Sequence, residues 1–136
     1  MEPIVSVTQH LVKSEDLNHH GTLYAGRTAE WFVEAGFIAT AKVVPPEQIV
    51  CLQIHGMSFT SPVRRGEIVT FKGKVILTGK SRLITFVEMS ASDRPVVKGF
   101  ITFVNVNAEG KPLPHGVTIE PVTPEDIALQ EEARKL

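Results

Sequence analysis

The sequence is poor in cysteine, in long hydrophobic runs and in net charge. Cys51 is its only cysteine, which excludes an internal disulfide, and we expect a reduced, cytoplasmic chain with Cys51 as a core thiol. No apolar stretch approaches the ~18 residues of a membrane span, and no basic segment with an apolar run precedes the first predicted strand, so we expect neither a membrane span nor a signal peptide. The formal net charge of -1 at pH 7 argues against bulk electrostatic binding to nucleic acid or to a membrane surface.

Motifs of several enzyme classes and of metal sites are also absent. The chain has no Gly-x-Ser-x-Gly sequence, which excludes the nucleophile elbow of the α/β-hydrolases. It has no Gly-x-x-x-x-Gly-Lys-[Ser/Thr] phosphate-binding loop. His55 and His115 have no partners at the spacing of metal ligands, so we predict no metal site.

The apolar pattern that is present predicts helices and strands of one α+β domain. The chain has 136 residues, of which 43% are apolar, and this is enough for one real core. A long apolar helix is predicted at residues 24–43, where two prolines end it, and a short charged helix at residues 125–136. Alternating apolar residues and turn signals predict strands at residues 4–12, 49–55, 67–77, 82–90 and 96–106.

A helix as apolar as the first one must be buried on most sides. We therefore expect a curved antiparallel β-sheet wrapped around one long central α-helix. Residues 1–118 would form this single domain, and residues 119–136 a C-terminal arm and short helix that covers a surface or a partner.

The most informative segment is the junction of loop and helix at residues 18–36. A polar, glycine-bracketed loop opens directly into the predicted helix, which carries Glu30 and Glu34. Amides at a helix start and an asparagine amide can stabilise negative charge on a carbonyl oxygen, and a carboxylate can activate a water. The alternative is that the two glutamates form only the solvated stripe of an amphipathic helix, and that Asn18 is only a loop or capping residue.

Four motifs, in this order along the chain, carry a family resemblance. They are Asn18-His19-His20-Gly21-x-Leu23-x-x-Gly26 with Trp31 in the helix, Phe59-x-x-Pro62-Val63-x-x-Gly66-Glu67, Gly79-Lys80-Ser81, and Phe103-Val104-x-Val106-x-x-x-Gly110-Lys111-Pro112. Over roughly residues 5–115 the chain resembles the hotdog-fold acyl-CoA thioesterases, most closely the acyl-CoA hydrolase branch that includes the brown-fat-type enzymes. The resemblance implies the hotdog fold and hydrolysis of an acyl-CoA thioester to a free acid and coenzyme A.

The resemblance also implies which residues act. It puts the family's catalytic aspartate at Val33, whereas this chain carries an acid one position later, at Glu34. One residue rotates a side chain by about 100° around the helix axis. Related hotdog thioesterases use a helix glutamate, so Glu34 of one subunit is our candidate for the base and Asn18 of the other for polarising the carbonyl. Candidates for the oxyanion site and for substrate positioning are His19, Gly26 and Thr60.

Coenzyme A carries phosphates, which positively charged turns at the rim of a site would bind. The candidates for this binding are Arg64, Arg65, Lys80, Ser81 and Arg82. The alternative is an ordinary solvated loop surface. Four apolar side chains are predicted to belong to the core rather than to an acyl pocket, namely Phe32, Phe37, Met57 and Phe59.

Assembly and partners follow from the same resemblance. It implies a homodimer with sheets joined edge to edge, assembled in some members into a trimer of dimers, with active sites at the dimer interface. It implies no metal or redox cofactor, and coenzyme A only as part of the substrate.

Two other functions stay open. One is a non-catalytic acyl-CoA-binding protein of the same fold, which the departure at Val33 favours. The other is a hotdog enoyl- or hydroxyacyl-thioester dehydratase, whose histidine-and-acid motifs we do not find.

Overall fold

The computed structural model describes all 136 residues as one sheet, two α-helices and their connections. The strands are β1 (Ser6–Leu11), β2 (Ile49–His55), β3 (Ile68–Thr78), β4 (Arg82–Ala91) and β5 (Arg94–Asn105). The helices are α1 (Ala25–Thr40) and α2 (Pro124–Ala133), and short 3-10 helices span Ser14–Asp16 and Pro46–Gln48. Every predicted strand and helix is present.

The five strands pair antiparallel in the order β1-β3-β4-β5-β2. The three central strands follow one another along the chain because short polar turns join them. In the β4–β5 turn, Ser92 and Asp93 have φ values of 49° and 63°, the left-handed pair that a two-residue hairpin turn needs. The first two strands lie at opposite edges of the sheet, each with one row of backbone groups unpaired.

Helix α1 lies on one face of the sheet and contacts all five strands. Two glycines bring the helix and the sheet close together. A Cβ on Gly73 of β3 would lie 2.9 Å from the Cβ of Ala39, and a Cβ on Gly36 would lie 2.8 Å from Cδ1 of Ile101. This close approach buries Phe32 completely, so its predicted place in the core is confirmed. Phe37 packs edge-on against Phe103 of β5.

The length of α1 differs from the prediction. The helix has 16 residues and ends at Thr40, whereas the apolar pattern continued to residue 43. Ala41 to Val43 form a turn before Pro45, because a residue that precedes a proline is disfavoured in a helical conformation. The expectation of a long central helix is therefore met only by a helix of moderate length.

Part of the opposite face of the sheet, around β3, is covered by α2. Gln130 donates hydrogen bonds from Nε2 to the carbonyl oxygens of Ile76 (3.0 Å) and Ile119 (3.2 Å). Lys74 Nζ lies 2.5 Å from Asp126 Oδ1. A second apolar cluster lies at the contact between this helix and the sheet and consists of Ile76, Phe86, Phe100 and Ala133 of the helix. The C-terminal helix therefore covers a sheet surface, as its composition predicted.

The edge strand β2 is exposed along most of its length. Val50, Leu52 and Ile54 are each at least 40% exposed. Cys51 is exposed as well, so its prediction as a core thiol is wrong, because an edge strand has neighbours on one side only. No helix is both long enough and apolar enough to cross a membrane.

Candidate active site

A cavity of about 340 Å³ lies between the start of α1 and the loop that precedes β3. It brings together two predicted site residues, Asn18 and Thr60, which are 42 positions apart in the sequence. None of the lining side chains is an acid or a base. The lining residues are Asn18, Leu23, Ala25, Thr28, Phe59, Thr60, Ser61, Pro62, Val63 and Val96.

The carboxamide of Asn18 is held by its own loop. Its Oδ1 accepts hydrogen bonds from the backbone N–H groups of His20 (2.9 Å) and Thr22 (3.2 Å). Two N–H donors on one atom identify that atom as the oxygen rather than the nitrogen. Nδ2 donates one of its two N–H groups to the hydroxyl of Thr22, at 3.2 Å. The other N–H is free, so Asn18 can donate a hydrogen bond to a ligand in the cavity.

The start of α1 supplies two further donors beside the cavity. The backbone N–H groups of Ala25 and Gly26 donate no hydrogen bond within the chain, because the first turn of a helix lacks internal acceptors. Ala25 lines the cavity, and Gly26 is exposed next to it. A Cβ on Gly26 would lie 2.4 Å from Cε2 of Tyr24, so the glycine makes room for the Tyr24 ring rather than for the sheet.

The loop before β3 forms the other wall of the cavity. The N–H of Thr60 and its hydroxyl both donate to the carbonyl of Val96, at 2.9 and 3.0 Å. Because the hydroxyl proton is used, Oγ1 of Thr60 can only accept a hydrogen bond from a ligand or a water. Phe59 is 49% exposed and lines the cavity, so its prediction as a core residue is wrong. This loop has no strand partner that would turn Phe59 inward.

Glu34 does not line this cavity. Its carboxylate is 56% exposed, and Oε1 lies 3.5 Å from Nε2 of His10 on β1. The ring of His10 is stacked on Trp31, with the centroids 4.2 Å apart and the planes 5° from parallel. Sequence reasoning missed His10, since nothing in strand β1 indicates that it meets a helix acid. Solvent and the imidazole of His10 are therefore the neighbours of this carboxylate.

The remaining predicted residues are distributed over the surface. Arg64 and Arg65 lie in the turn before β3, next to the cavity wall, and Arg64 pairs as an isolated bridge with Thr22 of the Asn18 loop. Lys80, Ser81 and Arg82 lie at the other end of β3, about 33 Å away for a strand of this length. One protomer therefore does not bring the two basic turns together. His19 is exposed, its ring lies 3.9 Å from that of His20 at a tilt of 42°, and it does not line the cavity.

The chain is similar to known proteins in sequence and in structure. The sequence model of the thioesterase superfamily matches residues 20–98. The cytosolic acyl coenzyme A thioester hydrolase of Rattus norvegicus is 29% identical over 115 residues, which cover 77% of this chain and 29% of that protein. The chain thus spans less than a third of the length of this curated relative.

Two solved structures superpose closely on the chain. An apo-hexameric acyl-CoA thioesterase is 25% identical and has a TM-score of 0.89 over 96% of this chain and 86% of the other. The acyl-CoA hydrolase of Staphylococcus aureus in complex with butyryl coenzyme A, coenzyme A and coenzyme A disulfide is 23% identical and has a TM-score of 0.87, over 96% and 82%. The helix on a five-stranded antiparallel sheet is therefore the hotdog fold of these enzymes. Since the family match extends over more than half of the residues, the chain belongs to the thioesterase superfamily.

Proposed function

We propose that the protein hydrolyses an acyl-CoA thioester to a free acid and coenzyme A. The observation that carries this proposal is the free Nδ2 N–H of Asn18 beside an apolar cavity and next to two unpaired helix amides. Hydrolysis of a thioester places negative charge on the carbonyl oxygen, and preorganised N–H donors stabilise it. The family and the names of the relatives support the same chemistry.

In this mechanism the acid comes from a second copy of the chain. The cavity of one protomer contains no acid or base, whereas Glu34 is exposed and accessible to a partner. Glu34 of one subunit would take a proton from the attacking water. Asn18 Nδ2 and the amides of Ala25 and Gly26 of the other would polarise the carbonyl. His19 would border this site, and Thr60 Oγ1 would accept a hydrogen bond from the water or the substrate.

The assembly that this mechanism requires is a homodimer, which in the hexameric state would be a trimer of dimers. An oligomer is supported by the apolar, exposed edge of β2, because unpaired strand edges with apolar side chains favour pairing with another chain. Glu34, which contacts His10 of β1, lies toward the opposite edge of the sheet. Joining two β2 edges would produce one continuous sheet curved around the two helices. A similar thioesterase is hexameric, which supports the proposal that this chain also forms an oligomer.

An oligomer would also explain the two separated basic turns. Arg64 and Arg65 of one subunit border the cavity, and the turn of Lys80, Ser81 and Arg82 would come from another subunit. Together they would bind the phosphates of coenzyme A, which enters as part of the substrate and not as a resident cofactor.

The test is the release of free thiol from short, medium and long acyl-CoAs. Wild-type turnover that Glu34→Gln abolishes is the expected result. Glu30→Gln is the matched control, since Glu30 is an exposed acid one helical turn earlier and pairs with Arg27 at 3.5 Å. Full activity of Glu34→Gln would refute the assigned base, and the absence of thiol release from all substrates would refute hydrolysis.

A non-catalytic acyl-CoA-binding protein is the second candidate. The specific observation in its favour is that the cavity contains no acid, while the position implied for the family aspartate is Val33. Binding without hydrolysis predicts that an acyl-CoA raises the melting temperature of the protein without release of thiol. Thermal stabilisation and thiol release measured on the same samples separate the two candidates.

A further inference from the structure

We propose that Arg94 is a positioning residue of the cavity, because its guanidinium fixes the wall at residues 61–64 and, through that wall, the loop that carries Asn18. The proposal rests on the proposed function in one respect, namely that this cavity is where the thioester binds. Arg94 lies at the start of β5 and does not line the cavity itself. It would act only through its neighbours.

The guanidinium of Arg94 uses all five of its N–H groups within the chain. Two of them form a bidentate pair with Glu67, at 2.7 Å from Oε1 and 2.8 Å from Oε2. The other three reach Ser61 Oγ (2.8 Å), the carbonyl of Pro62 (2.8 Å) and the carbonyl of Ala91 (3.3 Å). Since Ser61 and Pro62 line the cavity, Arg94 ties this wall to the β4–β5 hairpin. A lysine has three N–H groups from a single atom and cannot reproduce this planar fork.

Glu67 is the second half of the connection. Besides Arg94, its carboxylate accepts hydrogen bonds from the hydroxyl of Ser92 (2.9 Å) and the backbone N–H of Arg64 (2.7 Å). The hydrogen bonds from Arg94 and then from the Arg64 amide lower the pKa of Glu67 to about 2. The carboxylate is therefore charged throughout the pH range of an enzyme assay. It fixes the backbone of the turn before β3.

The fixed turn is in direct contact with the Asn18 loop. Arg64 pairs with Thr22, and the backbone N–H of Leu23 donates to the carbonyl of Val63 at 2.8 Å. Thr22 in turn accepts from the backbone N–H of Asn18 at 2.8 Å and contacts its carboxamide. Thr60, by contrast, is docked on β5 independently of Arg94. Loss of Arg94 would therefore loosen the Asn18 side of the cavity and leave Thr60 in place.

The first measurement is hydrogen exchange of backbone amides in wild type, Arg94→Lys and the control Arg134→Lys. Arg134 is an exposed arginine of the C-terminal segment that pairs with Glu131 at 3.7 Å. We expect faster exchange at residues 18–23 and 61–66 in Arg94→Lys, and unchanged exchange in α2. Unchanged exchange at both cavity segments would overturn the proposal. This measurement does not depend on whether the protein is a hydrolase.

The second measurement is steady-state thiol release by the same variants and by Glu67→Gln. A misplaced Asn18 donor lowers kcat by about 10- to 100-fold while KM changes by less than about threefold, since displacements near 1 Å have effects of this order. Arg94 and Glu67 act as one unit, so the double variant should lose no more than the more affected single variant. Unchanged kcat in Arg94→Lys despite faster exchange would overturn the proposal. Lack of thiol release by wild type would refute the proposed function instead, and the exchange data alone would then decide the role of Arg94.

Discussion

The hydroxyl oxygens of Thr40, on α1, and Thr85, on β4, lie 2.7 Å apart in the buried contact between helix and sheet. Thr40 also donates to the carbonyl of Gly36 at 2.9 Å. Because Thr40 has only one hydroxyl proton, Thr85 must be the donor in the bond between them.

This order of donors predicts that two isosteric substitutions have unequal effects. Thr40→Val leaves the buried Thr85 hydroxyl without an acceptor and should lower the free energy of unfolding by about 1–3 kcal/mol. Thr85→Val leaves the Thr40 proton bound to Gly36, and its effect should be clearly smaller. Urea denaturation of both variants measures the difference. A larger loss in Thr85→Val would contradict this order of donors.

The charged pair of Glu67 and Arg94 predicts an acid-dependent loss of stability. The folded state holds the pKa of Glu67 at about 2, against an ordinary value of 4.5. A lowered pKa contributes stability that is fully present above pH 4.5 and is lost as the pH falls toward 2. The melting temperature of Glu67→Gln should therefore lie below that of wild type at pH 7, and the gap should narrow between pH 5 and pH 2. Glu131→Gln, an exposed acid on α2, serves as the control, and a gap that is constant with pH contradicts the prediction.

The carboxamide of Asn18 can be tested by a near-isosteric substitution that removes its N–H donor and adds a negative charge. Asn18→Asp keeps an oxygen for the N–H groups of His20 and Thr22. It replaces Nδ2, which has the free N–H, by a second carboxylate oxygen that can only accept. We expect kcat to fall about 10²- to 10³-fold, the effect of losing one oxyanion donor, with little change in melting temperature.

A matched control for this substitution exists in the chain. Asn107 forms the same kind of turn, with Oδ1 accepting from the N–H groups of Glu109 (3.0 Å) and Lys111 (2.9 Å). Asn107→Asp should leave kcat unchanged. If both variants lose activity equally, the loss in Asn18→Asp comes from a disturbed loop and not from the missing Nδ2 N–H donor.

A site shared between subunits predicts that two inactive variants complement each other. In a dimer of one Asn18→Asp chain and one Glu34→Gln chain, one site carries both defects and the other site is intact. Random reassembly of an equal mixture should therefore restore about a quarter of the wild-type activity, since half of the dimers are mixed in a two-fold assembly. Each variant alone should stay inactive. Activity that stays at the level of the separate variants after reassembly would place Asn18 and Glu34 in different sites.

The fold was largely predictable from the sequence, whereas the direction of individual side chains was not. The strands and helices follow from apolar periodicity and from turn residues such as Pro45, which act locally. Asn18 and Thr60 were predicted, and the structure brings them to one cavity. Phe59 was predicted in the core and Arg94 was given no role, because their segments are held by hydrogen bonds to residues far along the chain. No local sequence pattern indicates hydrogen bonds between residues so far apart.

The loop of residues 56–67 has no strand or helix of its own, yet its backbone is anchored at both ends, at Thr60 on β5 and at Glu67 on Arg94. Thr60 and Ser61 line the cavity and also take part in this anchoring, whereas Phe59 lines the cavity and makes no side-chain hydrogen bond. A protein engineer can vary Phe59 to select for acyl chains of different lengths while the anchors, Ser61 included, stay constant. At this one position, substrate range and fold stability can change independently.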